Sequence, residues 1–271
     1  MKGNLAQIIA LTTYGNDYLK NNMLPKDYYP DNLAFQFCNR VDFNEFKKKF
    51  FFSVTKEIRI ADSPIKWFMY LKNDGCRSLR LYFKYSKDQS FAKDYMLAGF
   101  VGGGGSWLIE AVYDSYSNYW ANKWEVTNQN EPDRKIWTVN YGRTVLKQQT
   151  SDLQMDLYRI KERLSKTLVE IAEFASNQDL EHWASQFEKA KQTLESEAPS
   201  EEYYNKKLIP LNNYSLLAKQ ILFSAAFSSV FGGMGSWNDL GFERKDDNEL
   251  YERLSEQLYD DINQAIISAT N

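Results

Sequence analysis

Two incompatible hydrophobic periods divide the chain, and they constrain its fold more than any single motif. In Leu79-Arg-Leu-Tyr-Phe-Lys-Tyr85, the residues Leu79, Leu81, Phe83 and Tyr85 alternate with Arg80, Tyr82 and Lys84, the period of a half-buried strand. From residue 157 the apolar positions fall instead at steps of three and four, through Leu157, Ile160, Leu164, Leu168, Ile171 and Phe174. One segment cannot satisfy both, because each period puts a different set of side chains on one face. The change lies at about Lys147–Asp152. It predicts a β-rich antiparallel sheet domain over residues 1–150 and an α-helical domain over 151–271.

Within the first region a helix is expected over 4–20, with Gly15 weakening its end, followed by a loop over 22–32 around Pro25 and Pro30. Phe35–Cys38 and Phe50–Val54 read as strands, with Asn44–Lys49 between them as a short helix or turn. Asp94–Val101 and Ser106–Tyr113 read as a hairpin turning through Gly102–Gly105. Tyr119–Thr127 and Lys135–Arg143 supply two more strands, and such short joins favour an antiparallel meander. In the second region Ser176–Asp179 reads as a break and new cap before the stripe Leu180, Trp183, Phe187, Ala190, Leu194. Leu216, Leu217, Ile221, Leu222 and Ala225 predict a third helix running to Val230, and Asp246-Asp-Asn-Glu249 has capping-box spacing for a fourth carrying Leu250, Leu254, Leu258, Ile262 and Ile266. The fold class expected is α+β: an N-terminal antiparallel β-sheet with flanking helices, then a C-terminal antiparallel helical domain of about four helices.

Charge and composition narrow the function. Residues 1–150 carry 21 Lys+Arg against 15 Asp+Glu, net +6, and residues 151–271 carry 12 against 21, net -9, together the -3 of the whole chain. The two halves can attract each other, or the acidic half can steer a basic partner. Neither half is basic enough to make nucleic acid the expected ligand. No stretch approaches 18 uninterrupted apolar residues, and the N-terminal run lacks a cleavage site for a leader, so no membrane partner is expected and the cytoplasm is the expected location. Cys38 and Cys76 are the only cysteines and His182 the only histidine. They could form one bridge at most, they leave little for a serine or cysteine triad, and no cluster has zinc spacing, so neither a catalytic residue nor a metal or cofactor is expected.

Two segments are glycine-rich: Gly102-Gly-Gly-Gly-Ser-Trp107 and Gly232-Gly-Met-Gly-Ser-Trp237. Neither has the Gly-Lys-Ser/Thr of a P-loop, and both read as tight turns reached independently. In the second, Asn238 or Asp239 is expected to satisfy backbone N–H groups of Gly232–Gly235. A separate candidate is the sheet face of Trp120, Trp124 and Trp137, an aromatic cleft for a small molecule or nucleotide unless a helix packs over it.

Gly232-Gly-Met-Gly-Ser-Trp-Asn-Asp239, between a helix and an acidic helix, resembles the signature of a family of small bacterial helical proteins of unknown activity, many of them immunity-like proteins encoded beside antibacterial toxins. The resemblance covers about residues 157–271, and Trp237 stands where Leu or Phe is more usual. Taken with the charge asymmetry and the poor catalytic inventory, it leads to the expectation of a non-enzymatic cytoplasmic immunity protein that binds a cognate toxin domain, basic where the acidic helical half is the contact face, and occludes its active site. The residues expected to contact that partner are Trp237, Asp239, Glu243, Asp246, Asp247 and Glu249.

Overall fold

The structure is a computed structural model that describes all residues but Lys2, residues 49–54, Val101, Asn128 and Gln154; at residues 47, 48, 55 and 56 it describes the backbone alone. Its centre is a six-stranded sheet of β1 (Cys38–Lys48), β2 (Thr55–Ala61), β3 (Ser78–Lys84), β4 (Ser106–Val112), β5 (Ser117–Val126) and β6 (Trp137–Gln148). The spatial order is β2-β1-β6-β5-β4-β3. β3 to β6 form the expected meander, but β1 lies parallel to β6, with Val41 opposite Val139 and Phe43 opposite Tyr141. The sheet is therefore mixed, mostly antiparallel. Seven α-helices accompany it among the described residues, so the chain is α+β.

One sheet face is the core face. It collects Val41, Phe43, Leu79, Leu81, Ile109, Trp120, Val139 and Tyr141, all essentially without exposure. Helix α1 (Gly3–Asn21) lies against it, and its buried residues run unbroken from Leu5 to Gly15, as for a helix enclosed on all sides. Gly15 does not end this helix. A Cβ there would lie 2.5 Å from Leu79 Cδ1 and 2.8 Å from Phe68 Cε1, so glycine lets helix and sheet approach closely. Helix α2 (Pro64–Asn73) has Pro at its start and Ser63 Oγ accepting from Lys66 N–H, a standard helix opening that the period argument passed over. Its Trp67 stacks on Phe43 at 4.4 Å and meets Trp120 edge-on at 5.3 Å.

Several expectations need correction. Phe35 closes a single 3-10 turn, Leu33–Phe35, and the strand begins at Cys38. The charged stretch from Asn44 is neither helix nor turn but continues β1 to Lys48, because it pairs with β2 on one side and β6 on the other. Phe50–Val54 lies outside the described residues. Asp94–Val101 is not the first arm of a hairpin: Asp94–Leu97 is one helical turn, α3, and β4 pairs instead with β3 and β5. Cys38 and Cys76 are both free and buried, and burial pushes their thiols up to about 11 and about 12.

The remaining helices are α4 (Leu157–Asn177), α5 (Glu181–Thr193), α6 (Leu216–Phe227) and α7 (Lys245–Thr270). The chain turns from α4 to α5 on Asp179 at φ +56°, and the N-cap of α5 is Leu180 with no side-chain bond, so no new polar cap forms there. The capping box at the start of α7 is also absent. Arg244 is the N-cap, Asp246 and Asp247 sit in the first turn, and Asn248 Oδ1 accepts from Phe242 N–H at 3.3 Å. Buried apolar residues of the helices and of the sheet belong to one continuous cluster. Tyr259 of α7 packs edge-on against Phe83 of β3 at 6.1 Å. Beside it Asn271 bonds both backbone groups of Leu81, accepting its N–H at 2.7 Å and donating to its carbonyl at 2.9 Å.

Candidate functional site

The stretch from Val230 to Phe242 joins α6 to α7. Gly235 stands at φ +83°, in the left-handed region that favours glycine. As expected, the short polar side chains serve the turn: Gly232 N–H donates to Asn238 Oδ1 at 2.8 Å, and Gly235 N–H donates to Asp239 Oδ2 at 2.6 Å. Trp237 opens a single 3-10 turn, Trp237–Asp239, with its ring fully buried. Its Nε1 donates to Ser255 Oγ at 2.8 Å, and its carbonyl accepts from the Tyr251 hydroxyl at 2.7 Å. Phe187, Tyr251 and Trp183 surround the ring at 5.0, 5.4 and 5.7 Å. Trp237 is therefore a pin between α5 and α7 and not a contact residue, which corrects its place among the binding candidates.

The chain just before the earlier glycine segment, at Gly99, packs directly on this turn. A Cβ at Gly99 would overlap the Gly232 carbonyl oxygen and come within 3.1 Å of Gly233 Cα, so the two backbones touch where no other residue fits. The Tyr259 hydroxyl donates to the Gly104 carbonyl and ties the same segment to α7. Gly99 and the Gly232 turn thus form one junction, with the earlier glycine segment tied beside it to α7. Gly99 is absent from the left-handed glycines, so it serves close approach instead of a turn. On either side of the contact two large apolar side chains point to solvent: Phe100 is 70% exposed and Met234 is 101% exposed.

Of the predicted acidic contacts, Asp239, Glu243, Asp246 and Glu249 are exposed and Asp247 is half-buried. Asp247 pairs with Arg244 at 3.6 Å and Glu249 with Lys245 at 3.5 Å, so part of this charge is balanced within the first turn of α7. The aromatic candidates separate. Trp120 is fully buried beneath Trp67 of α2, which corrects its place as a ligand contact. Trp124 and Trp137 are half-buried and meet edge-on at 5.8 Å. Trp67 of α2 occupies the space over Trp120, and among the described residues no ring of α2 meets the Trp124–Trp137 pair. His182 is exposed and lies against the Trp183 ring at 5.1 Å, a packed surface histidine.

Two concavities lie outside the predicted residues. An open cleft of about 370 Å³ runs between the loop after α1 and residues 206–213, with Tyr14, Asp27, Asn32 and Lys207 on its walls. Asp27 and Lys207 form an ion pair across it. A smaller pocket of about 70 Å³ lies between α3 and α7, lined by Tyr85, Asp94, Tyr95 and Asp260 among others. There burial, and then the neighbouring Glu256 and Asp261 charges, raise the Asp260 carboxyl above its usual range, and burial with the nearby Asp260 pushes the Tyr85 phenol up to about 12. Sequence periodicity marks Tyr259 and Asp260 only as helix positions, so this pocket had no signal in one dimension.

The chain matches no family model, no curated protein and no solved structure. No helix among the described residues is long and apolar enough to cross a membrane.

Proposed function

We propose that the protein is a non-enzymatic binding protein of the immunity type, cytoplasmic, that holds a cognate antibacterial toxin domain and occludes its active site. The observation that carries the reading is the glycine junction, which presents Phe100 and Met234 to solvent from a backbone held by Asn238, Asp239 and the Gly99–Gly232 contact. Exposed apolar side chains on a well-held frame are the usual anchors of a protein interface, and methionine adapts to a partner's surface. The net charge of residues 151–271 and the acidic opening of α7 favour a basic partner. The resemblance of Gly232–Asp239 to the immunity-like family supplies the class. In this reading α4 to α7 act as an antiparallel four-helix unit that carries the face, and the sheet stiffens it from behind.

Two results test this. Co-expression with its cognate toxin domain should restore growth of a sensitive host. Reversing Glu243, Asp246, Asp247 and Glu249 to lysine should weaken binding to that toxin at least about tenfold at low salt, since rim charges act chiefly on association rate. Unchanged affinity would remove the start of α7 from the interface.

A further inference from the structure

The pocket between α3 and α7 has unmet hydrogen-bonding capacity. Asp94 is 2% exposed; its Oδ2 accepts from Ser86 N–H at 3.0 Å, but its Oδ1 has no hydrogen-bond partner. Tyr95 is 2% exposed as well, and its hydroxyl is also without a partner. A buried carboxylate oxygen and a buried phenol left unbonded on residues that line one small pocket are each costly, and such groups are met in folded proteins by a ligand or water. The charge is unbalanced too. Asp94, Glu256 and Asp260 line the pocket against one cation, Lys93, whose ammonium pairs with Glu256 at 3.0 Å. Both members of that pair are about half exposed, so it sits at the mouth and leaves Asp94 and the half-buried Asp260, which bonds the Tyr85 hydroxyl, further in.

The shape selects the cation. A volume of about 70 Å³ is room for roughly two waters, enough for an ammonium group and a short alkyl stem. An ammonium group brings three diverging donors of its own, which suits carboxylate and phenol oxygens set apart on the pocket walls. Tyr85, Tyr95 and Tyr259 supply the aromatic walls that ammonium groups favour.

We propose that this pocket receives the ammonium end of a lysine side chain presented by a basic partner, with Asp94 Oδ1, the Asp260 carboxylate and the Tyr95 hydroxyl as its acceptors. The inference rests on the binding-protein reading and adds to it the partner residue that is read. The probe is a capped Gly-Gly-Lys-Gly-Gly peptide titrated into the full chain at low ionic strength and followed by tyrosine ring shifts in NMR. The expected result is a saturable shift of the Tyr85 and Tyr95 rings that is absent when norleucine replaces the lysine. Asp94→Asn, which keeps the side-chain shape, should weaken it about tenfold. Glu256→Gln, at the exposed mouth, should weaken it by a smaller factor and keeps the test open if the Asp94 variant fails to fold. No saturable shift, an equal response to the norleucine peptide, or equal affinity in both variants would overturn the proposal, as would the same shifts produced by Ca²⁺ alone. Because the peptide needs no partner, its failure alongside a captured toxin would remove the pocket assignment and leave the binding reading standing.

Discussion

Gly235 and Gly99 are alike in sequence and opposite in what they require. At Gly235 nothing lies within 4 Å of an added Cβ, so Gly235→Val acts through the backbone alone: φ +83° is strained for a β-branched residue, and a loss of about 1–2 kcal/mol is expected. At Gly99 the obstacle is the Gly232 carbonyl, so even Gly99→Ala must part the two segments and should lower the melting temperature more than Gly235→Ala does. Thermal unfolding of the three variants checks the order, and equal effects at both sites would show that the junction does not exist. The turn chemistry of Asn238 and Asp239 was legible in the sequence, because those side chains act on backbone within a few residues. The Gly99 contact was not, because it joins positions more than a hundred residues apart. Trp237 misled for a related reason: an aromatic in a loop motif looks presentable until Ser255 and Phe187 enclose it. Trp237→Ala should cost about 3–5 kcal/mol in urea unfolding, a magnitude reserved for a packed core ring.

At the scale of elements, β3 is the edge strand whose exposed backbone is managed by two asparagines. Asn16 of α1 accepts from Leu79 N–H at 2.7 Å and donates to its carbonyl at 2.8 Å, and Asn271 does the same at Leu81. These carboxamides stand where a seventh strand would pair and so block edge-to-edge association. Leu79 and Leu81 are themselves buried, so Asn16→Ala and Asn271→Ala should each cost roughly 1–3 kcal/mol. Both variants should also show concentration-dependent oligomers by size-exclusion chromatography; monomers of unchanged stability would contradict this role. The periods found β3 and the stripes of α4 to α7 because those elements bury one face. They failed on α2, which is short, and on β1, whose charged residues are held by pairing on both sides. Within β1, Glu45 meets Arg143 at 2.6 Å and accepts from the Tyr70 hydroxyl at 2.5 Å, partners that a one-dimensional reading cannot supply.

For the molecule as a whole, buried phenols tie stability to high pH. Desolvation raises Tyr28 and Tyr141 well above 10.0 and pushes Tyr14 up to about 12, with Asp27 and Asp17 adding to the last. The folded state thus holds these protons more tightly than the unfolded chain. Their contribution is fully present below about pH 10 and is lost as pH rises from there through the folded values. Tyrosinate absorbance should therefore rise steeply together with unfolding, and independent titration of all 18 tyrosines near pH 10 with the fold intact would contradict it. The charge asymmetry between residues 1–150 and 151–271 was legible at this scale, but the joining of sheet and helices in one apolar cluster was not, since composition shifts mark element type and carry no record of what packs on what. Everything proposed for the partner depends on the glycine junction being a binding face. The most direct measurement is the affinity of the cognate toxin domain for the wild-type chain and for a Phe100→Glu, Met234→Glu double variant of matched melting temperature. Both side chains are exposed, so the fold should be unaffected, and the expected result is a loss of at least about a hundredfold, the scale of two interface anchors. Equal affinity for the two proteins would show that this face is not where a partner binds.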